Sequence, residues 1–518
     1  MPNRVPYAVS GLLAAAAGAG VGHLVAAIVA PSASPVLAMG SAVIDATPTP
    51  VKEWAVATFG TADKAVLTGS VLVVTGLAAA AIGVLARRRL TLALLLLVGL
   101  AAIPTALAAS GGTATSALPG LITGLVGVFA LRSLVAALSG PADPIGLNEP
   151  LTRPTASEPT PEGQATPDRR RFLVGATGAG ALAAASAGLG QALTATPTPA
   201  ATELALPTPA TTLPKLPTGL ESTVRGISPL VTPIKDFYRI DTALVLPRVD
   251  IAEWSLTIDG AVDTPVRLSL DDLLAMPLVE ADVTLTCVSN EIGGPLIGNA
   301  RWLGVRVRDL LAGAGIQGGA DQVLSTSTDG MTISTPVTAL TDSRDALIAV
   351  AMDGAPLTRE HGYPARLVTP GLYGFVGATK WLTRMTLTTY AADPAYWTTR
   401  GWAIDSPILT SSRIDVPGSG ADLAAGTVAI GGVAWAQHRG ISRVEVRVDD
   451  GPWAEATLGP DAGIDAWRQW WHPWEATAGK HLLSVRATDG VGDTQPETIT
   501  EPFPKGATGW HTVAVTVR

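Results

Sequence analysis

The stretch TLTCVSNEIGGPLIGNARWLGVRVRDLL, residues 284–311, holds Cys287, the single cysteine of a 518-residue chain. One cysteine cannot close an intramolecular disulfide, and without a second thiol a zinc or iron–sulfur cage of cysteines is excluded. Two readings remain: a buried small side chain, the usual state of free cysteine, or a single thiolate ligand to a soft metal. The neighbours favour the second. Cys287 ends the run Val283 to Thr286 and is followed by Ser289, Asn290, Gly293, Gly294 and Pro295, so it lies where a strand gives way to a loop. Val307 to Ala314 then reads as a helix closed by Gly315.

Three further segments stand in order around this one. FYRID (237–241) precedes it; MDGAPLTREHGYPARLVTPGLYGFVGATKWL (352–382) follows, and then a C-terminal region with AWRQWW and TDGVGDTQP. Together, over about 225–518, they resemble the sulfite oxidase family of molybdenum enzymes. The resemblance implies a molybdenum–molybdopterin cofactor with Cys287 as the sole protein ligand to the metal. It also implies cofactor contacts from Tyr238 and Arg239, from His361 and Arg366 in HGYPAR, and from Thr379 and Lys380 in GATKW. Asp329 in STDGMTIS is a further match in a region where loop lengths differ. A phosphate-bearing cofactor calls for such basic and hydroxyl groups. Taken singly, Arg366 also reads as a surface charge and His361 as a turn residue.

On the substrate side this chain departs from the family. Animal and plant sulfite oxidases carry a basic pair shortly after the cysteine, where this chain has Glu291 and Ile292. The position of the family's catalytic tyrosine falls nearest to Thr399, with Tyr396 close by, so the catalytic set implied is Cys287, Arg239 and Tyr396, with Arg468 as a further positive charge. The implied activity is oxygen-atom transfer to a sulfur compound, with electrons passed to an external carrier that is cytochrome- or quinone-linked. The alternative enzyme reading is reduction of sulfoxides or N-oxides, which suits a pocket with fewer arginines. A reading from another class is a non-catalytic cell-envelope binding protein.

The first 140 residues differ in composition. Apolar runs at about 7–30, 66–86, 90–109 and 117–138 have membrane-spanning length, and a fifth at about 172–193 is nearly all Ala, Gly and Leu. Gly18, Gly20 and Gly22 are expected to let helices approach closely. Before the fifth run, Asp168 to Leu173 (DRRRFL) fits the twin-arginine export pattern and also fits a plain cytoplasmic charge anchor. A cofactor domain downstream favours export of a folded protein. Arg4, Arg87 to Arg89, Arg132, Arg153 and Arg169 to Arg171 all come out cytoplasmic with five spans. The N-terminus is then inside, a loop at 31–65 outside, and everything after about 194 outside. His23 is the only histidine in these runs and no CxxCH occurs, so no haem is expected.

The expected organisation is multi-domain. A four-helix membrane region (1–140) leads to a cytoplasmic linker (141–168), then the twin-arginine-like motif with the fifth helix (169–194). A Pro/Thr/Ala-rich linker (195–224) should hold an extended spacer between bilayer and enzyme. A mixed α+β molybdopterin domain (225–395) follows, with Trp254 to Ile258 alternating and Leu268 to Leu274 read as helix. From 396 to 518, short strands such as Thr427–Ala434, Ile441–Val448 and His481–Ala487 read as an immunoglobulin-like β-sandwich. In the family this sandwich commonly pairs two subunits, which implies a homodimer. Trp467, Trp470, Trp471 and Trp474 read as sandwich core or domain interface. The net charge of −8 argues against nucleic acid as a partner; the partners expected from the resemblance and the apolar runs are a small-molecule substrate and the membrane.

Overall fold

The computed structural model describes residues 4–59, 62–110, 114–139, 169–195 and 204–518. They fall into two compact units, 1–197 and 198–518.

The first unit is helical: α1 (Val5–Val29), α2 (Pro35–Ala46), α3 (Thr49–Phe59), α4 (Asp63–Ala86), α5 (Leu90–Ser110), α6 (Leu118–Ser139) and α7 (Arg169–Ala195). Five of these, α1 and α4 to α7, are long and apolar enough to cross a membrane, as the hydropathy predicts. Helix α1 packs against α4, α6 and α7. Small residues make this possible: a Cβ on Gly18 would collide with the backbone of α6 at Thr123, and one on Gly20 with α7 at Ala183. The expected loop at 31–65 is instead largely helical, because Pro35 at the first helical position starts an apolar helix too short to span, which packs on α4 and α5. His23 bonds the Ser34 hydroxyl at 3.0 Å. Arg169 to Arg171 open α7. Asp168, Arg153 and the 141–168 linker lie outside the described residues.

In the second unit one sheet runs β3 (Val279–Thr286), β4 (Ile297–Arg306), β7 (Leu347–Met352) and β8 (Ala355–Pro356), with β9 (Arg366–Val368) also on β7. A second sheet runs β2 (Val266–Ser269), β1 (Ser255–Gly260), β10 (Leu382–Thr388), β5 (Gln322–Ser327) and β6 (Thr332–Pro336). Leu256, Ile258, Met385 and Leu387 of the second sheet share one core with Leu303, Val305, Ile348 and Val350 of the first. The segment expected to be helical from Leu268 begins as strand β2. Helix α8 is confined to Leu270–Leu274, because Ser269 and Asp272 close a capping box there. Helix α9 (Val307–Ala314) ends at Gly315, whose φ of 72° is the left-handed stop that the sequence announces. Helices α10 (Val337–Thr341) and α11 (Gly374–Gly377) are short.

The C-terminal region holds two more sheets. One runs β11 (Ser411–Val416), β13 (Gly426–Trp435), β17 (Arg468–Ala476) and β16 (Thr457–Leu458). The other runs β12 (Asp422–Leu423), β19 (His511–Val517), β18 (Gly479–Asp489), β14 (Ile441–Val448) and β15 (Ala454–Glu455). Their inner faces share a core of Ile414, Ile430, Trp470, Val444, Leu483, Val485 and Val513. Trp474 joins that core. Trp467 instead packs with Val288 and Tyr373, and its indole N–H donates to the Leu230 carbonyl at 2.9 Å.

The proline-rich stretch behaves differently from a free spacer in its described part, 204–219. Ala210 N–H donates to Leu278 O, Glu280 N–H donates to Thr211 O, and Thr211 pairs with Val279 in parallel. Arg301, bidentate to Asp282, also donates to the carbonyls of Leu213 and Pro214. Leu204 and Leu206 pack on the core. An extended proline-rich chain suits this role, since its remaining N–H and C=O groups are free to meet a strand edge.

Candidate active site

Strand β3 delivers Cys287 to its position. Thr286 pairs with Ile297 of β4, and the chain then turns: Cys287 N–H donates to Leu296 O at 3.0 Å, and Asn290 N–H donates to Cys287 O at 3.0 Å. Asn290 Oδ1 accepts the Leu296 N–H at 2.8 Å and closes the loop. Gly293 adopts φ 73°, and a Cβ there would meet the His511 ring, so both the turn and the close approach require glycine. The thiol is buried, 8% exposed, and burial pushes its pKa up. Hydrogen bonds from Ser289 and the positive charge of Lys380 act in the opposite direction, towards the thiolate a metal requires.

Two buried phenols interact electrostatically with this thiol. Tyr238 is held well above its ordinary pKa by burial and then by the Cys287 charge, with Arg366 opposing. Tyr373 is pushed up to about 12 by burial and by Cys287, and its oxygen accepts the Leu409 N–H at 3.4 Å. Tyr373 lies inside the TPGLYG part of the quoted motif, yet nothing in sequence distinguishes it from a core aromatic.

The segment 361–380 forms the cradle. Arg366, 6% exposed, donates to the carbonyls of His361 and Ala378 at 3.2 and 3.4 Å, and stacks over Trp302 at 5.1 Å. Burial lowers its pKa to about 10. Leu367 N–H donates to Thr379 O, and Thr369 N–H to Gly377 O, so the two arms of the segment run side by side. Within them Arg366 Nε, Thr369 Oγ1 and Thr379 Oγ1 are buried without a hydrogen-bond partner among the described residues. Orphaned donors cost about 1–3 kcal/mol each. A ligand rich in acceptor oxygens and nitrogens would satisfy them, and the donor set therefore fits a phosphate-bearing pterin.

His361 Nε2 lies 3.1 Å from the Ile234 carbonyl. A carbonyl only accepts, so Nε2 carries the hydrogen. Burial, followed by the Arg366 charge, lowers the His361 pKa to about 4. Lys380 Nζ contacts Asp241 Oδ2 at 2.7 Å and Glu360 O at 3.1 Å; burial lowers its pKa to about 8 against the pull of Asp241. The same carboxylate takes Arg239 Nε at 2.8 Å. Asp241 thus anchors both cations, a role that its place in FYRID does not announce.

The remaining candidates lie further out. Asp329 is exposed at the β5–β6 tip, where its carboxylate accepts the Met331 N–H at 3.2 Å. The adjoining Thr328 N–H donates to Trp381 O and ties that tip to the residue after Lys380. Tyr396 is half-buried, with the Arg400 guanidinium 3.4 Å over its ring; Thr399 is exposed and donates to Tyr396 O. Arg468 pairs with Asp461 at 2.7 Å. Glu291 is exposed, and Ile292 turns toward Gly509. Sequence reading passed over Arg413, which donates to Gly294 O at 2.6 Å and fixes the loop after the cysteine while pairing with Asp415. Among the described residues no group of three or more His, Cys, Asp or Glu gathers in a metal-holding cluster.

Residues 243–397 match the family model described as oxidoreductase molybdopterin binding domain. The mitochondrial sulfite oxidase of Mus musculus is 30% identical over 327 residues, covering 53% of this chain and 59% of that one. The NADH nitrate reductase of Hordeum vulgare is 28% identical over 316 residues, covering 49% of this chain and 34% of that one. Among solved structures, the sulfane dehydrogenase SoxCD from Paracoccus pantotrophus has a TM-score of 0.48 at 24% identity, over 55% of this chain and 81% of that one. The chain spans only part of the length of these curated relatives. The cradle around Cys287 therefore sits in a domain of the molybdopterin-binding oxidoreductase class. Within that class, its sequence is similar to the sulfite oxidases.

Proposed function

We propose that this protein is a membrane-anchored, outward-facing oxidoreductase that carries out oxygen-atom transfer on a sulfur compound. The observation that carries the reading is the buried Cys287 thiol at a strand end, in the same domain as a cradle of buried, unsatisfied donors at Arg366, Thr369 and Thr379. Cys287 would be the one protein ligand to molybdenum. Arg366, Thr369 and Thr379 would take the pterin with His361, Lys380, Tyr238 and Arg239, and Asp329 would close the cradle from the β5–β6 tip. When bound, this cofactor supplies two-electron oxygen exchange between water and the sulfur compound, releasing two protons and two electrons.

The chain's residues set the conditions. Burial of the thiol and of Arg366 excludes water, which strengthens each charge contact. Arg239, fixed by Asp241, offers a positive charge toward substrate, and Tyr396 a phenol O–H. An external electron carrier, cytochrome- or quinone-linked, takes the electrons. The five apolar helices support anchoring; the arginine distribution supports an inside N-terminus and an outside catalytic domain. No haem is assigned to the helices. The two C-terminal sheets with their shared core support an immunoglobulin-like fold; a homodimer formed through it is what the family resemblance implies.

A second reading, reduction of sulfoxides or N-oxides, rests on charge. Arg239, Arg413 and Arg468 are each paired with a carboxylate, and Glu291 and Ile292 stand where a basic pair would be. A less charged substrate suits such a site. The test is molybdenum and pterin analysis of the purified protein, followed by turnover screens with a dye acceptor and a dye donor. Stoichiometric metal with turnover of a sulfur compound is expected. Protein isolated with neither metal nor pterin after expression in a cofactor-producing host would overturn the reading.

A further inference from the structure

Strand β3 is an edge strand: it pairs with β4 and with no other strand of its sheet. In an antiparallel pair, alternate residues turn their N–H and C=O groups away from the partner. Here those residues are the even-numbered ones, and towards both ends of the strand outward groups are met by segments from elsewhere in the chain. At the far end, Leu278 O and the Glu280 N–H bond to the 210–211 segment. At the cysteine end the C-terminal region takes over. Thr284 N–H donates to Asp465 O at 3.0 Å, and Trp467 N–H donates to Thr284 Oγ1 at 2.8 Å. Gln437 Nε2 donates to Thr284 O at 2.9 Å and to Thr286 Oγ1 at 3.0 Å.

Gln437 has no exposed surface, and its amide oxygen is buried without a hydrogen-bond partner among the described residues. Flipping the amide would set two acceptors against each other at Thr284 O, so the donor must face the strand. A buried acceptor left unsatisfied costs about 1–3 kcal/mol. The two hydrogen bonds to the residues just before Cys287 offset that cost. An edge strand frays from its end, and the end of this strand carries the thiol.

We infer that Gln437 is a positioning residue. By clamping Thr284 and Thr286 from the C-terminal region, it fixes the strand end that presents the Cys287 sulfur, and so couples the C-terminal sheets to the metal centre. The inference rests on the reading of Cys287 as the metal ligand.

The test uses the full chain with Gln437→Met, which keeps length and removes the donors, beside Ile430→Val, which trims the C-terminal core without touching β3. Hydrogen exchange is followed over peptides covering 280–288 in protein made without cofactor, and the Mo(V) electron paramagnetic resonance spectrum is recorded in loaded protein. Gln437→Met should speed exchange at Thr284 and Cys287 by about tenfold and shift the Mo(V) g values with metal content retained. Ile430→Val should lower the melting temperature and change neither. Unchanged exchange in Gln437→Met overturns the clamp. Faster exchange with an unaltered spectrum overturns its role in positioning the sulfur. If Gln437→Met does not fold, Thr286→Val removes one of the two acceptors and is read by the same two measurements. Wild-type protein that takes up no molybdenum would sink the ligand reading, whereas the exchange data judge the clamp independently.

Discussion

At the residue scale the site is a set of groups kept away from their solution behaviour. The Cys287 thiol is raised by burial and drawn back toward thiolate by Ser289 and Lys380. Replacing it by serine nearly keeps the volume and removes the soft sulfur that the proposed ligation requires. Turnover should fall by at least about 100-fold, the loss that even an outer partner of a metal ligand can bring, while far-UV circular dichroism stays that of the wild type. A fully active Cys287→Ser would end the assignment. His361 makes a second prediction. Its folded pKa of about 4 lies below the unfolded value, so between these the unfolded chain binds a proton that the folded chain does not. Stability is therefore flat above about pH 6.5 and falls as pH drops toward 4, by up to about 3 kcal/mol. Urea midpoints measured from pH 7 to pH 4.5 should follow this slope, and His361→Asn should flatten it.

At the scale of elements, the strand that carries the cysteine is completed by chain from both ends of the second unit. The 204–214 segment contributes two backbone hydrogen bonds, the Arg301 contacts and the packing of Leu204 and Leu206. Replacing 204–214 in the full chain by a Gly/Ser segment of equal length should cost about 2–4 kcal/mol, from lost hydrogen bonds and apolar burial. Thermal unfolding would report it, and limited proteolysis should cut the replaced segment first. A protein of unchanged stability would return this stretch to the role of a free spacer.

At the scale of the whole molecule, export and substrate are the open quantities. If Arg169 and Arg170 are read by a pathway for folded proteins, replacing both by lysine should leave the catalytic domain cytoplasmic. Protease added from outside would then spare it. Cleavage at the wild-type level would favour a simple charge anchor. For substrate, a sulfite dianion calls for convergent guanidinium groups. Arg239, Arg413 and Arg468 are already held by Asp241, Asp415 and Asp461. Sulfite should be turned over poorly and a less charged sulfur or nitrogen oxide preferred. A kcat/KM for sulfite of about 10⁶ M⁻¹s⁻¹ or more would show that the missing basic pair is immaterial.

Much of this was legible in the residues themselves. Five helices of membrane-spanning length follow from apolar runs whose length matches a bilayer. The strand ending at Thr286, the helix from Val307 and its stop at Gly315 follow from local patterns that need no partner to be recognised. The helices within 31–65 were missed because their apolar runs are short, and a pattern of that length does not separate helix from loop. What only the tertiary structure decided is who meets whom across long separations in the chain. Asp241 meets Lys380, Tyr373 accepts from Leu409, Arg413 holds Gly294, and Gln437 grips Thr284. Each of these pairs joins segments that carry no common period and no shared motif. Their meeting is set by sheet order and by the burial of polar groups that must each find a partner, and neither is written in any local stretch of sequence.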